Sequence, residues 1–182
     1  MIKAYTFGLA GQLPSVLVEV FGMRAPGRGS IDGFGVAIEE GTQDRVGAAL
    51  RQIGIRSDGV DVDVVSAFGA KLIPGSADLA IATVIAGVEQ EQEGGPMPGR
   101  LAECILLGEL GPQGELVPVR GILPMLLGLG GRDLTAIVPR ENGIQVARAG
   151  AADRVLVADS LQEVLAHLAG TRAPLAAASG AG

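Results

Sequence analysis

Ser76 is the residue best placed in this chain to do covalent chemistry. It stands in Pro74-Gly75-Ser76-Ala77-Asp78-Leu79, at the start of an apolar helical stretch. A serine hydroxyl is a poor nucleophile at neutral pH and needs an adjacent base to take its proton. Lys71 is close in sequence, but an exposed lysine would already carry its proton. His167, the only histidine, lies on the last helix opposite the Leu161, Leu165 and Leu168 stripe and reads as solvated. The simpler role for Ser76 is that of a helix N-cap, with Asp78 beside it facing the positive end of the helix dipole.

The arginines are the other candidates. Arg120 follows Pro118-Val119 and precedes Gly121, with Glu109 and Glu115 as carboxylates it could pair with inside the chain. Arg140-Glu141-Asn142 stands before a helix, where free amides can hold an anion or, more simply, be capped. Arg24, Arg28, Arg45, Arg51 and Arg56 gather positive charge in the first third of the chain. They read either as a patch for DNA or as a solvated surface. One His, one Cys and scattered carboxylates give no metal-ligand spacing.

These residues must be positioned by a mixture of strands and helices. Residues 2–7 and 13–21 read as strands joined by Gly8-Leu9-Ala10-Gly11, and 34–38 as a third after a Gly/Pro-rich loop. Thr42 to Ile53 is helical, with Val46, Ala49, Leu50 and Ile53 on one face and Arg45 and Arg51 turned elsewhere. Val60, Val62 and Val64 alternate with Asp61 and Asp63 as a strand. Ala77 to Val88 is apolar nearly all round, which predicts a buried helix, and Glu89 to Arg100 reads as an acidic surface loop. Segments 104–110 and 115–117 read as a hairpin, followed by a short helix with Pro124 in its first turn. The last third repeats strand, helix, strand, helix. Asn142 with Gln145, and Ser160 with Glu163, have capping-box spacing. The fold class is α/β with a mixed sheet, in one domain over residues 1–170 and a flexible Ala/Gly-rich tail or linker over 171–182.

Composition limits the functions further. The chain has 182 residues and is 48% hydrophobic, enough for a real core, but only 3% aromatic with no Trp. Base-stacking platforms for single-stranded nucleic acid are therefore scarce. A net charge of −6 disfavours autonomous DNA binding. Cys104 has no intramolecular partner and reads as a small buried hydrophobe. No apolar stretch reaches membrane-spanning length and no signal peptide opens the chain, so the expected location is the cytoplasm.

Asp44-Arg45-Val46, Ser76 through Ala82, Leu107 through Leu110 and Pro118 through Pro124 together resemble the N-terminal domain of the magnesium-chelatase-like ATPase family, of the ComM type. That domain is similar to the Lon-protease catalytic domain and to the C-terminal domain of RadA. The resemblance implies a ribosomal-protein-S5 domain-2-like sandwich set in front of a hexameric AAA+ motor that acts on DNA. It places the lysine of the Lon-type dyad at Leu123, which cannot accept a proton, so Ser76 is at most vestigial and no catalytic residue is expected. It places Arg120 at a subunit or ligand surface, and Arg120, Arg45, Arg51 and Arg140 are together the candidate contacts for DNA or for a neighbouring subunit. It also implies a homo-oligomeric ring and a motor in cis or in trans. No Gly-x-x-x-x-Gly-Lys-[Ser/Thr] occurs here, so ATP and magnesium are expected only in that motor. The rival readings are a Lon-like serine hydrolase using Ser76 and a stand-alone DNA-binding module.

Overall fold

A computed structural model describes residues 1–11, 13–95, 99–171 and 174–180. Alternating apolar residues, most of them valines in the second strand and the fourth, make the first strands. β1 (Ile2–Ala10), β2 (Leu13–Arg24) and β4 (Val60–Ala70) bury Ala4, Val18, Val20, Val62 and Val64 on one face and turn the residues between them outward. β3 (Ile31–Val36) lies at the edge beyond β4. The other half of the sheet comes from short runs of apolar residues: β5 (Cys104–Leu106), β8 (Thr135–Pro139) and β9 (Val155–Ala158). The order is β10-β9-β8-β5-β1-β2-β4-β3, where β10 is Ala176–Ala177. β1–β2, β2–β4 and β9–β10 are antiparallel, whereas β3–β4, β1–β5, β5–β8 and β8–β9 are parallel. The sheet is therefore mixed, as the pattern predicts.

Five helices complete the fold among the described residues: α1 (Thr42–Gln52), α2 (Asp78–Gln92), α3 (Ile122–Leu126), α4 (Arg140–Arg148) and α5 (Leu161–Leu168). α2 is buried along its length from Asp78 to Glu89. It packs on β1, β2 and β4 and is flanked by α1 and α5, which is why it carries no polar stripe. Fully burying each large aliphatic side chain of α2 contributes about 1.5–3 kcal/mol. A second apolar cluster on the opposite sheet face joins Phe7, Ile105, Val138 and Val157 to Ile122 and Met125 of α3.

Several elements depart from the sequence pattern. α2 runs on through residues assigned to a surface loop, because Glu89 is buried and pairs with Arg24 across 2.5 Å. Of that expected loop, residues 96–98 lie outside the described set. The hairpin expected from 104 to 117 is divided: β5 joins the large sheet, and only β6 (Glu109–Leu110) and β7 (Leu116–Val117) pair with each other. Asn142 is not a cap, since α4 already begins at Arg140. Its side-chain amide instead bonds Val119 twice, accepting from the N–H at 2.8 Å and donating to the carbonyl at 3.0 Å. His167 is buried rather than solvated, because its Nδ1 accepts the Leu175 N–H at 3.2 Å. That contact fastens the stretch read as a flexible tail, whose residues Ala176 and Ala177 pair with β9. At Ser160 the cap half of the box forms, its hydroxyl accepting the Glu163 N–H at 3.3 Å, while the Glu163 carboxylate reaches one residue further back and accepts the Asp159 N–H at 2.9 Å.

Candidate functional site

The loop from Lys71 to Ala77 carries the chain from β4 into α2. Gly75 turns it with φ of +73°, and a Cβ there would come within 2.6 Å of Glu109 Cβ. The Gly75 N–H donates to Glu39 at 3.0 Å, and the Ser76 N–H donates to Ile73 O at 2.9 Å. The Ser76 carbonyl accepts the Gly108 N–H at 3.2 Å, and the Gly108 carbonyl accepts the Leu79 N–H at 3.0 Å. Two blocks separate in sequence, around 76 and 108, are thus joined main chain to main chain.

Ser76 does not cap α2. The N-cap position falls on Ala77, and no side chain bonds the first-turn amides. Ser76 has no exposed surface, and its Oγ has no hydrogen-bond partner among the described residues. Leu123 sits half-buried against the second apolar cluster. The start of α3 nevertheless abuts the serine loop: a Cβ added to Gly121 would lie 3.3 Å from Ile73 Cδ1.

The polar centre of this region is Asp78. Its carboxylate, 1% exposed, receives Arg45 Nε at 2.7 Å and Arg45 Nη2 at 3.2 Å, in the two-pronged geometry a guanidinium favours. Arg45 Nη2 also reaches Glu39 at 2.9 Å. Burial pushes the Asp78 carboxyl above its ordinary value, while Arg45 and the Leu110 N–H pull it partly back. Arg45 in turn holds its proton more tightly, chiefly through its hydrogen bond to Asp78. An Asp opening a helix that is buried all round demands such a partner, and that signal was available in the sequence. Beside this node is a cleft of about 310 Å³, lined by Ile38, Leu72 and Ile81 with Glu39, Lys71 and Asp78.

The other arginines separate. Arg140 forks onto Asp159, with Nε to Oδ1 at 2.8 Å and Nη2 to Oδ2 at 2.7 Å, and this pair pulls the Asp159 pKa below its ordinary value. Arg24 is held by Glu89 and Gln92. Arg28 and Arg51 line one polar groove of about 330 Å³ together with Asp44 and Asp58. Arg120 is exposed and makes no ion pair among the described residues, so neither Glu109 nor Glu115 takes it. The five arginines of the first third therefore do not form a single free patch. Cys104 is buried, and burial pushes its thiol up to about 11.

The sequence profile of the family described as "ChlI: Subunit ChlI of Mg-chelatase" matches residues 29–142. That span is more than half of the chain and contains Arg45, both joined blocks and Arg120. The chain belongs to the ChlI family of Mg-chelatase subunits. No curated protein matches it. The start of α2, where phosphate would be held by amides, already carries the Asp78 carboxylate, with Glu39 on the Gly75 amide. No group of three or more His, Cys, Asp or Glu side chains among the described residues could hold a metal ion. No helix among the described residues is long and apolar enough to cross a membrane.

Proposed function

We propose that this ChlI-family chain is a non-catalytic, Lon-like assembly domain of a ComM-type AAA+ DNA-processing protein, with the S5 domain-2-like sandwich its fold. It acts in the cytoplasm, builds into a homo-oligomeric ring, and helps hold DNA beside a motor, in cis or in trans, that binds and hydrolyses ATP. One observation carries the reading: the position where a Lon-type nucleophile would stand is closed. Ser76 is fully buried, its Oγ has no partner among the described residues, and the adjoining Asp78 is committed to Arg45. A hydroxyl without a base and without access to solvent has no route to attack a substrate. The family's joined blocks then serve to tie α1, α2 and the β6–β7 hairpin into one rigid body. Arg120, exposed at the start of α3, is the candidate contact for a neighbouring subunit or for phosphate.

Sedimentation of the chain alone, and mixed with a ComM-type motor domain, tests the proposal. The expected result is that this chain, followed by its own fluorescent label, sediments well above the 18.4 kDa of one copy in at least one of the two samples. A strict monomer in both overturns it. Labelling of Ser76 by a fluorophosphonate would overturn the non-catalytic part separately.

A further inference from the structure

The chain has only five aromatic residues, four Phe and one Tyr, and places one of them, Phe7, fully in the core. The strand register shows where the others go. Phe34 is level with Val65, Val65 with Glu19, and Glu19 with Tyr5, so these four form one row on the sheet face away from α2. The next row is Asp32, Asp63, Phe21 and Lys3. α4 covers this face over β8 and β9, and α3 with the turn after it covers β1 and part of β2, but the part made of β4 and β3 is open. Phe34 is 54% exposed there and Phe68 is 75% exposed.

Phe68 is presented by a built distortion. Between the level pairs Phe34–Val65 and Val36–Ala70, β3 has the single residue Gly35 where β4 has residues 66–69. The Ser66 hydroxyl accepts the N–H of Phe68 at 3.4 Å and of Ala70 at 3.2 Å, holding the bulge. Gly35, with φ of +68°, lets the chains approach: a Cβ there would lie 2.3 Å from Ser66 O. Phe68 overhangs a hollow of about 400 Å³ that also touches Leu17, Val65 and Arg132. The same bulge, with exposed Asp32, blunts the β3 edge against strand addition, so the face rather than the edge is what the fold offers.

Charge selects what fits. Asp32, Asp61 and Asp63 belong to this face against the single Arg132 in the hollow beside Phe68, and none of the four makes an ion pair among the described residues. Lys3 is spent on Glu19 and stacks over Tyr5 and Phe21 at 4.8 and 5.1 Å. Aromatic rings on a sheet would suit nucleic acid, but the surplus carboxylates repel phosphate. A second copy docked face to face about a two-fold axis would bring these acidic rows towards each other. We propose that the outer face of β4 and β3, centred on Phe34 and Phe68, docks a protein element presenting an apolar ridge flanked by lysine or arginine. The proposal goes beyond the assembly reading and stands whether or not the chain serves a motor.

The test uses the full chain, isotope-labelled, titrated by NMR with a designed amphipathic helical peptide whose Leu ridge is flanked by Lys. Two controls are a scrambled peptide of the same composition and the analogue with Glu for Lys. The expected result is saturable shifts at Phe34, Val65 and Phe68, with both controls binding at least about tenfold more weakly. Phe34→Ser with Phe68→Ser should abolish the shifts, and Asp32→Asn with Asp63→Asn should weaken them, each with an unchanged melting temperature. Equal binding of the scrambled peptide would overturn the proposal, because charge alone would explain it. So would single-stranded DNA shifting the same residues, or dimerisation of the unliganded chain through them.

Discussion

At the scale of single residues, Arg45 and Ser76 exchange the roles that sequence suggests for them. Arg45 stands off the apolar face of α1 and resembles a residue meant for solvent or DNA, yet its guanidinium is bound to Asp78, which is 1% exposed. Arg45→Met would leave that carboxylate buried without a counter-charge, at a cost of about 3 kcal/mol. For a domain of this size the melting temperature should then fall by roughly 6–12 °C. Adding Asp78→Asn to Arg45→Met should recover part of the loss, since the orphaned charge is gone. A double variant no more stable than the single one would mean that the pair is not what holds α1 to α2. Ser76 gives the opposite expectation. Its Oγ is buried without a partner, so Ser76→Ala should leave stability unchanged or raise it by up to about 1 kcal/mol in a denaturant titration. A loss of about that size would instead indicate a cap, as at an ordinary helix start.

At the scale of elements, periodicity made the regular pieces legible, and long-range partners decided the rest. The alternation at Val60, Val62 and Val64, the all-round apolar run of α2 and the Ser160 cap each report on their own neighbours, and each has its expected form. Asn142 was misread because the backbone it satisfies, Val119, is distant in sequence. The buried Asp78–Arg45 pair was equally out of reach of spacing alone, although an acid on a wholly buried helix was a warning. His167 was misread because the segment that covers it follows α5 in Ala/Gly-rich sequence with no periodicity of its own. That covering carries a pH expectation. Burial is the larger cause lowering the His167 pKa, the positive charge of Arg100 is the smaller, and Nδ1 must stay unprotonated to accept the Leu175 N–H. The folded state therefore favours the neutral ring. Its contribution is fully present above the unfolded value near ~6.5 and is lost as pH falls through that value, levelling off below the folded pKa. Amide exchange at Leu175, corrected for intrinsic rates, should speed up between neutral and mildly acidic pH more than in the core strands. His167→Gln, whose side-chain oxygen can also accept, should remove that dependence. An unchanged pH profile in the variant would place the titration elsewhere.

At the scale of the whole molecule, the distribution of charge limits what the chain does alone on DNA. It holds 14 Lys and Arg against 20 Asp and Glu. Of the cations, Lys3, Arg24, Arg45 and Arg140 are already paired with carboxylates. In the first third only Arg28, Arg51 and Arg56 remain outside ion pairs among the described residues, and two of them share their groove with Asp44 and Asp58. Each phosphate neutralised contributes about 0.9 to the slope of log affinity against log salt. If these three arginines alone met the duplex, the slope would be about −3 and binding would be lost near physiological salt. Fluorescence anisotropy across a salt series measures this directly. A slope near −6 would require a basic surface that these residues do not supply, and would revive the stand-alone DNA-binding module. A shallow slope for the chain alone that steepens when it is assembled with its motor would place DNA contact in the ring. There a few arginines per copy are multiplied by the number of copies along one duplex, and weak single contacts become a strong combined one.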